Sequence, residues 1–307
     1  MASSMMTISS VCFVVVSFFQ GLVGGVTFTF TNRCGGTVWP GVLSNSGSSA
    51  LETTGFALGA GERRSLAAPA GWSGRFWART GCAFDGESGK GACATGDCGS
   101  GEVECRGAGA APPATLVEFT LDGSGGKDYY DVSLVDGYNL PVVVEAASAA
   151  GCPATGCVVD LNERCPAELK AGQGQACRSA CEAFGTPEYC CSGQYGNPDT
   201  CHPSVYSQVF KAACPRSYSY AYDDATSTFT CAATDYSITF CPRLANPNSQ
   251  KSSNDPSPRP KDANLEDDSW LASLATGEVD GAAAAPSTSS LLQATLAVAV
   301  MALLALH

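Results

Sequence analysis

Apolar and polar residues alternate with a period of two in much of this chain. In 26–31, valine and phenylalanine side chains alternate with threonines. The same alternation recurs in five further segments: 75–80, 115–121, 129–135, 226–231 and 236–240. Because successive side chains of a strand point to opposite faces of a sheet, this pattern predicts half-buried strands. Glycine-rich turns separate the segments, so the sequence predicts a mainly β fold, arranged as a sandwich or a barrel.

Only 175–184 has helical spacing, and it lies inside the region with the densest cysteines, 152–214. The chain has 17 cysteines, a content typical of proteins that fold in an oxidising compartment. Cys12 lies in an N-terminal apolar run, and the sixteen that remain can form eight disulfides. We expect 152–214 to form a lobe of loops that depends on its disulfides, because such a segment has little core of its own.

Both ends of the chain have the pattern of targeting segments. Residues 1–25 are predicted to be a secretory signal peptide, because the apolar run Val11–Phe19 is followed by the small residues Val23, Gly24 and Gly25. Residues 282–307 end in a short apolar tail with no basic residue after it, which is typical of a glycosylphosphatidylinositol (GPI) attachment signal. The alternatives are a tail-anchor helix and a propeptide. The lipid would be attached at one of three residues, Asp280, Gly281 or Ala282.

Between these ends we expect one folded domain, 26–245, and a flexible stalk, 246–281. The stalk is rich in serine, proline and acidic residues and has few apolar side chains, so it cannot bury enough surface to fold. No Asn-x-Ser/Thr site occurs, and the stalk permits O-glycosylation. The whole chain has a net charge of −12, and an acidic surface argues against nucleic acid as a partner.

The spacing of glycines and cysteines in GKGACATGDCGSGEVEC, residues 89–105, resembles the signature of the thaumatin-like family, also called pathogenesis-related group 5. Other segments resemble the family in the same order: NRCGGTVWPG (32–41), FWARTGC (76–82), PPATLVEFTL (112–121), DYYDVSLVDGYNLP (128–141), CPAEL (165–169), YCC (189–191) and STFTC (227–231). The resemblance covers 26–242. The chain is longer than the simplest secreted members, because it adds the stalk and the GPI-type signal.

The resemblance implies a flattened β-sandwich of about ten to eleven strands with two smaller disulfide-rich lobes. It also implies eight disulfides: Cys34–Cys241, Cys82–Cys93, Cys98–Cys105, Cys152–Cys231, Cys157–Cys214, Cys165–Cys177, Cys181–Cys190 and Cys191–Cys201. The first pair joins the two ends of the domain. No metal and no cofactor are expected, because every cysteine of the mature chain has a disulfide partner in this pattern.

Family members line a cleft between the sandwich and the larger lobe with one arginine and four acidic residues. In this chain the matching residues are Arg75, Glu118, Asp131, Asp136 and Asp223. Period-two alternation places Glu118 and Asp131 opposite the apolar faces of their strands, where they can reach a solvated groove. Asp223 is followed by Asp224, and the residues alone do not decide which of the two faces the cleft; the resemblance favours Asp223.

The acidic cleft permits more than one function. Our hypothesis is a secreted, monomeric, cell-surface defence protein that binds fungal-type β-1,3-glucan or a similar wall polysaccharide, with the lipid anchor as its contact with the plasma membrane. One alternative is a weak endo-β-1,3-glucanase, with Glu118 as general acid and Asp131 or Asp136 as nucleophile or base. Another is a wall or signalling protein without antifungal effect. Binding without efficient turnover is favoured over hydrolysis.

Histidine and tryptophan are the residue types that could support other chemistries. His202 is the histidine that remains before the terminal signal, and no G-x-S-x-G motif accompanies it, so we expect a surface loop residue and not part of a catalytic triad. Trp39, Trp72 and Trp77 could stack on sugars, but core packing is expected for Trp39 and Trp77.

Overall fold

The computed structural model describes residues 25–147, 151–232 and 235–242. The predicted signal peptide, stalk and GPI signal lie outside the described residues, as do Asp280, Gly281 and Ala282. The described residues form fourteen strands: β1 Val26–Asn32, β2 Trp39–Ser44, β3 Arg63–Ala68, β4 Ser73–Arg79, β5 Ala83–Phe84, β6 Gly91–Ala92, β7 Leu116–Thr120, β8 Lys127–Ser133, β9 Val142–Ala146, β10 Thr155–Cys157, β11 Lys170–Ala171, β12 Ala176–Cys177, β13 Phe229–Ala232 and β14 Tyr236–Phe240.

Ten of these strands form two five-stranded sheets. The first sheet has the order β10-β9-β14-β1-β3, and the second has the order β13-β8-β7-β4-β2. Neighbouring strands pair antiparallel, except that β1 and β14 are parallel, so strands from the two ends of the domain meet inside the first sheet. The remaining four strands form two short ribbons, β5–β6 and β11–β12.

Aromatic side chains from the two sheets pack against each other. The Phe28 ring, on β1, lies 4.9 Å from the Phe76 ring on β4 and 4.7 Å from the Phe119 ring on β7, in edge-to-face geometry. All three side chains are buried. Because alternate residues of each strand enter this core, the other face of each strand is left for polar side chains. The predicted mainly β sandwich is confirmed.

Eight disulfides are present, as predicted, and they join the pairs that the resemblance implies. Four of them lie in the lobe formed by 152–214, where they link Cys157 to Cys214, Cys165 to Cys177, Cys181 to Cys190 and Cys191 to Cys201. The buried cluster of this lobe is small and contains four cysteines beside apolar side chains such as Phe210. The lobe therefore depends on covalent links, since a small core contributes little free energy.

The lobe is more helical than the sequence predicted. It contains the helices α1 Ala180–Phe184, α2 Pro187–Cys190 and α3 Val205–Ala213 and four short 3₁₀ helices: Leu161–Arg164, Ala167–Leu169, Gly172–Gly174 and Gly193–Tyr195. Outside the lobe, α4 Asp224–Ser227 follows it in the chain, and a short 3₁₀ helix, Ser124–Gly126, lies between β7 and β8. The predicted helical stretch 175–184 is wrong at its start, because 176–177 form β12. The predicted strand 226–231 is wrong in the same way, because it begins only at Phe229, after α4.

The helix α3 is the longest one that the described residues form, and the period-two analysis missed it. Ser204 caps it, since its hydroxyl accepts a hydrogen bond from the backbone N–H of Ser207. Its buried residues are Ser207, Phe210 and Ala213, at a spacing of three. Only one of these side chains is large and apolar, so the hydrophobic signal in the sequence is weak.

The tryptophans differ in part from expectation. Trp77 is buried, as predicted, and Trp72 is buried as well. Trp39 is only partly buried, and its ring lies 6.3 Å from that of Phe84. None of the helices in the described part of the chain has the length and apolar character needed to cross a membrane.

Candidate functional site

Three charged side chains form a row across the second sheet. Arg75 on β4 pairs in register with Glu118 on β7, and Glu118 pairs with Asp131 on β8. Directly paired residues of antiparallel strands have Cβ atoms about 4.5–5.5 Å apart, so the three side chains are immediate neighbours. Arg75 Nε lies 3.6 Å from Glu118 Oε1. The row thus joins one cation to two carboxyl groups.

The residues on either side in the sequence explain why the row faces outward. Val117 and Phe119 flank Glu118 and are buried in the sandwich core. Tyr130 and Val132 flank Asp131 and are buried in the same core. Since successive side chains alternate between the faces of a strand, the two carboxyl groups lie on the face away from this core, as the period-two pattern predicts.

The row lines a groove of about 360 Å³, a volume within the range of small-ligand sites. Further residues complete the lining: Leu116, Ser133, Val135, Asp136, Tyr218, Ala221 and Asp224. Of the five residues that the resemblance assigns to the cleft, the groove therefore contains Arg75, Glu118, Asp131 and Asp136. Asp223 is not in the lining, and its place is taken by Asp224.

The carboxylate of Asp223 is engaged by other groups of the chain. It lies 2.9 Å from Lys211 Nζ, and it accepts hydrogen bonds from the backbone N–H and hydroxyl of Ser219 and from the hydroxyl of Thr226. Its side chain is only 12% exposed. The lining of the groove thus includes Asp224 in place of the expected Asp223, and the bonds of Asp223 hold the chain segment that carries Asp224.

Asp224 and Tyr218 are functional candidates that the sequence analysis missed. The Tyr218 hydroxyl donates a hydrogen bond of 2.9 Å to Asp224 Oδ1. The Tyr218 backbone bonds to Val132 and Leu134 alongside β8, which brings the phenol to the groove. No spacing signal in the sequence marks Tyr218, because its position follows from a contact between distant segments.

Burial raises the pKa of the Asp131 carboxyl to about 8, the nearby charges of Glu118 and Asp224 add to the effect, and Arg75 opposes it. Burial likewise raises the pKa of Glu118; here Arg75 lowers it, and Asp136 raises it further. Asp131 is therefore protonated at neutral and acidic pH. A protonated carboxyl can donate as well as accept a hydrogen bond, so the groove contains both kinds of group.

Two buried polar atoms of the row have no hydrogen-bond partner among the described residues. They are Arg75 Nε and Asp131 Oδ2. Buried polar atoms are nearly always hydrogen-bonded, because leaving one without a partner costs about 1–3 kcal/mol. Both atoms belong to side chains that line the groove.

The other predicted site residues lie elsewhere. His202 is exposed, as expected, and lies at a second cavity beside the groove. Within 25–147, 151–232 and 235–242, no group of three His, Cys, Asp or Glu side chains is arranged to hold a metal ion.

The contrast between Asp223 and Asp224 leads to a stability prediction. We expect Asp223→Ala to lower the free energy of unfolding by about 2 kcal/mol, because Lys211 and several hydrogen-bond donors lose their charged partner. The matched variant Asp224→Ala should change it by at most about 1 kcal/mol, since that side chain is exposed and the variant removes the hydrogen bond from Tyr218. Denaturant unfolding of both variants measures the difference. The reverse order of effects would place Asp223 in the groove.

Comparison with known proteins gives a consistent result. The model of the Thaumatin family matches residues 32–242. Thaumatin-like protein 1 from Arabidopsis thaliana is 63% identical over 246 residues, which are 76% of this chain and 94% of that protein. Pathogenesis-related thaumatin-like protein 3.5 from Cryptomeria japonica is 58% identical over 232 residues, covering 74% of this chain and 95% of that protein. PR5-like receptor kinase from Arabidopsis thaliana is 46% identical over 279 residues, covering 87% of this chain and 41% of that protein.

Proposed function

Since this chain belongs to the thaumatin family, whose members include pathogenesis-related proteins, we propose that it is a secreted defence protein that binds β-1,3-glucan in the acidic groove. The observation that carries the proposal is that two buried atoms of the row, Arg75 Nε and Asp131 Oδ2, have no hydrogen-bond partner among the described residues. One is a donor, and the other belongs to a carboxyl that can donate or accept. Sugar hydroxyls also donate and accept, so a neutral polysaccharide can satisfy both atoms.

The charges of the groove support a neutral ligand over an anionic one. The lining contains four carboxyl groups and one guanidinium group, and that guanidinium lies beside Glu118. An anion would meet uncompensated carboxylates at Asp136 and Asp224. A fungal wall glucan carries no charge and offers a row of hydroxyls, which matches a row of polar groups on neighbouring strands.

The proposal predicts that Glu118→Ala weakens the binding of laminarihexaose by at least about tenfold. The variant removes a carboxylate that can accept hydrogen bonds from sugar hydroxyls, and such charged hydrogen bonds contribute about 1.5–3 kcal/mol each. Calorimetric titration of the secreted protein measures the change. Glu163→Ala is the control, because Glu163 is an exposed carboxylate outside the groove. Equal affinity of the wild type and Glu118→Ala would refute the proposal.

Hydrolysis is a second candidate, and the positions of Glu118 and Asp131 favour it. Direct pairing places the Cβ atoms of the two residues about 4.5–5.5 Å apart. From these positions the two carboxyl groups can reach the separation of about 5–5.5 Å at which retaining glycosidases work. The pKa of Asp131, raised to about 8, makes it the proton donor, whereas Glu118 beside Arg75 is the nucleophile. These roles are the reverse of those assigned from the sequence.

In this scheme Glu118 forms a bond to the anomeric carbon while Asp131 protonates the leaving oxygen. Water then releases the sugar, with Asp131 as the base. The same samples used for binding test it, because hydrolysis would release reducing ends with the wild type and not with Glu118→Ala. Binding without any release of reducing ends would leave the protein a binder only.

We also propose that the protein is held at the outer face of the plasma membrane. The support is the sequence pattern of 282–307, with attachment at Asp280, Gly281 or Ala282 after a stalk, 246–281. A lipid anchor would keep the domain close to the wall. Phospholipase C specific for phosphatidylinositol should release the protein from cells, and a protein that stays bound would contradict the anchor.

A further inference from the structure

A second cavity adjoins the acidic groove. It has a volume of about 370 Å³ and shares Val135, Asp136 and Ala221 with the groove. Its other walls come mainly from the disulfide-rich lobe, with residues of α1, α2 and α3. The proposed glucan binding involves only the groove and gives this cavity no role.

Tyrosine rings form one wall of this cavity. Tyr189 on α2, Tyr206 on α3 and Tyr220 all line it. The Tyr206 ring lies 5.8 Å from that of Tyr189 and 5.3 Å from that of Phe184 on α1. The Tyr206 hydroxyl donates a 3.0 Å hydrogen bond to Glu168 Oε1. These contacts fix the ring of Tyr206, so the aromatic wall exists before any ligand binds.

Three carboxyl groups also line the cavity, and no lysine or arginine side chain lines it beside them. They belong to Asp136, Glu182 and Glu188. Within the described part of the chain, none of these three carboxyl groups accepts a hydrogen bond or forms a salt bridge. Partial burial raises the pKa of Glu182 to about 7, Arg178 opposes this, and Asp136 adds to it.

We propose that this cavity binds a sugar ring that carries a protonated amine, as in the glucosamine units of deacetylated chitin. A tyrosine face can stack on a pyranose ring and attracts a cation in addition. The carboxyl groups supply the opposite charge, and a bound ammonium group lowers the raised pKa of Glu182, so that this carboxyl ionises as the amine binds. A neutral sugar would leave them uncompensated and an anion would be repelled, so the charge of the cavity selects the amine.

This inference names a different site and a different ligand from the glucan proposal. Because Val135, Asp136 and Ala221 belong to both cavities, a polysaccharide chain could extend from one into the other. The two proposals can still fail separately. Laminarihexaose tests the groove, whereas a glucosamine hexamer tests the second cavity.

The experiment is calorimetric titration of the secreted protein with a glucosamine hexamer at a pH slightly below neutral. We expect the N-acetylglucosamine hexamer, which has the same rings without the charge, to bind at least about tenfold more weakly. The double variant Glu182→Gln/Glu188→Gln should weaken binding of the glucosamine hexamer by roughly tenfold. Its affinity for laminarihexaose should be unchanged, because neither residue lines the groove.

Control variants separate the contribution of the carboxyl charges to binding from that of the tyrosine ring. Glu163→Gln removes one charge outside the cavity and should leave binding unchanged. Tyr206→Ala should weaken binding by about tenfold, whereas Tyr206→Phe keeps the ring and should retain most of the affinity. Equal binding of the two hexamers, or full binding by the double variant, would overturn the proposal. So would a lysine hexapeptide that binds as tightly as the glucosamine hexamer, because charge alone would then suffice.

Discussion

Replacing Cys34 and Cys241 together by alanine should lower the free energy of unfolding by about 5 kcal/mol. The disulfide between them closes a loop with a sequence separation of 207 residues. In the chain-entropy model, a cross-link restricts the unfolded chain more strongly when its loop is longer. This link should therefore contribute more than any other disulfide in the protein.

The position of the disulfide makes its effect global. Cys34 follows β1 closely and Cys241 follows β14 directly, and these two strands pair in parallel within the first sheet. Strands from the two ends of the chain must meet before this sheet can form. Closing such a long loop costs conformational entropy. The disulfide keeps the loop closed in the unfolded chain, so the pairing of β1 and β14 no longer bears this cost.

A short disulfide provides the matched comparison. Cys98–Cys105 has a sequence separation of only 7, and the same model gives a contribution of about 2–3 kcal/mol. Denaturant unfolding of the two double-alanine variants, with the other disulfides oxidised, measures both contributions. If the two variants lose equal stability, native packing around the cysteines determines the effect, and loop length does not.

The strands of the sandwich could be predicted because their side chains obey a local rule. Alternation in 26–31 and 236–240 reflects one buried face and one exposed face, and it is visible without any knowledge of the partner strand. The same rule placed Glu118 and Asp131 on the face away from the core. That they pair directly could not be predicted, because it depends on the register between β7 and β8, which the sequence does not reveal.

Asp223 and Asp224 show where sequence reasoning ends. The two residues are chemically identical neighbours, so the residues alone do not say which of them faces the groove. Lys211 decides it, since its ammonium group lies 2.9 Å from the Asp223 carboxylate. Lys211 lies on α3, a helix that the sequence analysis did not predict, and its contact with Asp223 arises only in the folded lobe.

The second cavity could not be predicted for a similar reason. Tyr189 and Tyr206 are separated in the sequence and meet because α2 and α3 pack together. The lobe that holds them is fixed by disulfides and has only a small apolar core, so hydrophobic periodicity carries little information about it. The cysteine pattern predicted the disulfide pairs of the lobe, but it could not predict how the helices between the cysteines pack.

Asp131→Asn should make the protein more stable at high pH, by an amount on the order of 5 kcal/mol at most. The folded protein raises the pKa of Asp131 to about 8, mainly because the carboxyl is buried. In the unfolded chain an aspartate has a pKa of about 3.9. Folding therefore favours the protonated form, and deprotonation in the folded state is unfavourable.

The sign of the pH dependence follows from this difference. The stability contributed by protonated Asp131 is fully present below pH of about 4, and it is lost progressively as the pH rises to about 8. Asparagine has nearly the same shape and is neutral throughout, so the variant does not lose this contribution. The two proteins should have similar free energies of unfolding near pH 4. As the pH rises towards 8, the free energy of unfolding of the variant should exceed that of the wild type by an increasing amount.

Urea unfolding of both proteins across this pH range measures the difference. Asp199→Asn is the control, because Asp199 is exposed in the loop of the lobe and its replacement should leave the pH profile of the wild type unchanged. A difference between wild type and Asp131→Asn that does not grow with pH would show that Asp131 ionises normally. The proton-donor role of Asp131 in the groove would then be excluded as well, because both rest on the same raised pKa. A difference that grows as expected would show that the protein gives up stability at neutral pH to keep a protonated carboxyl in the groove.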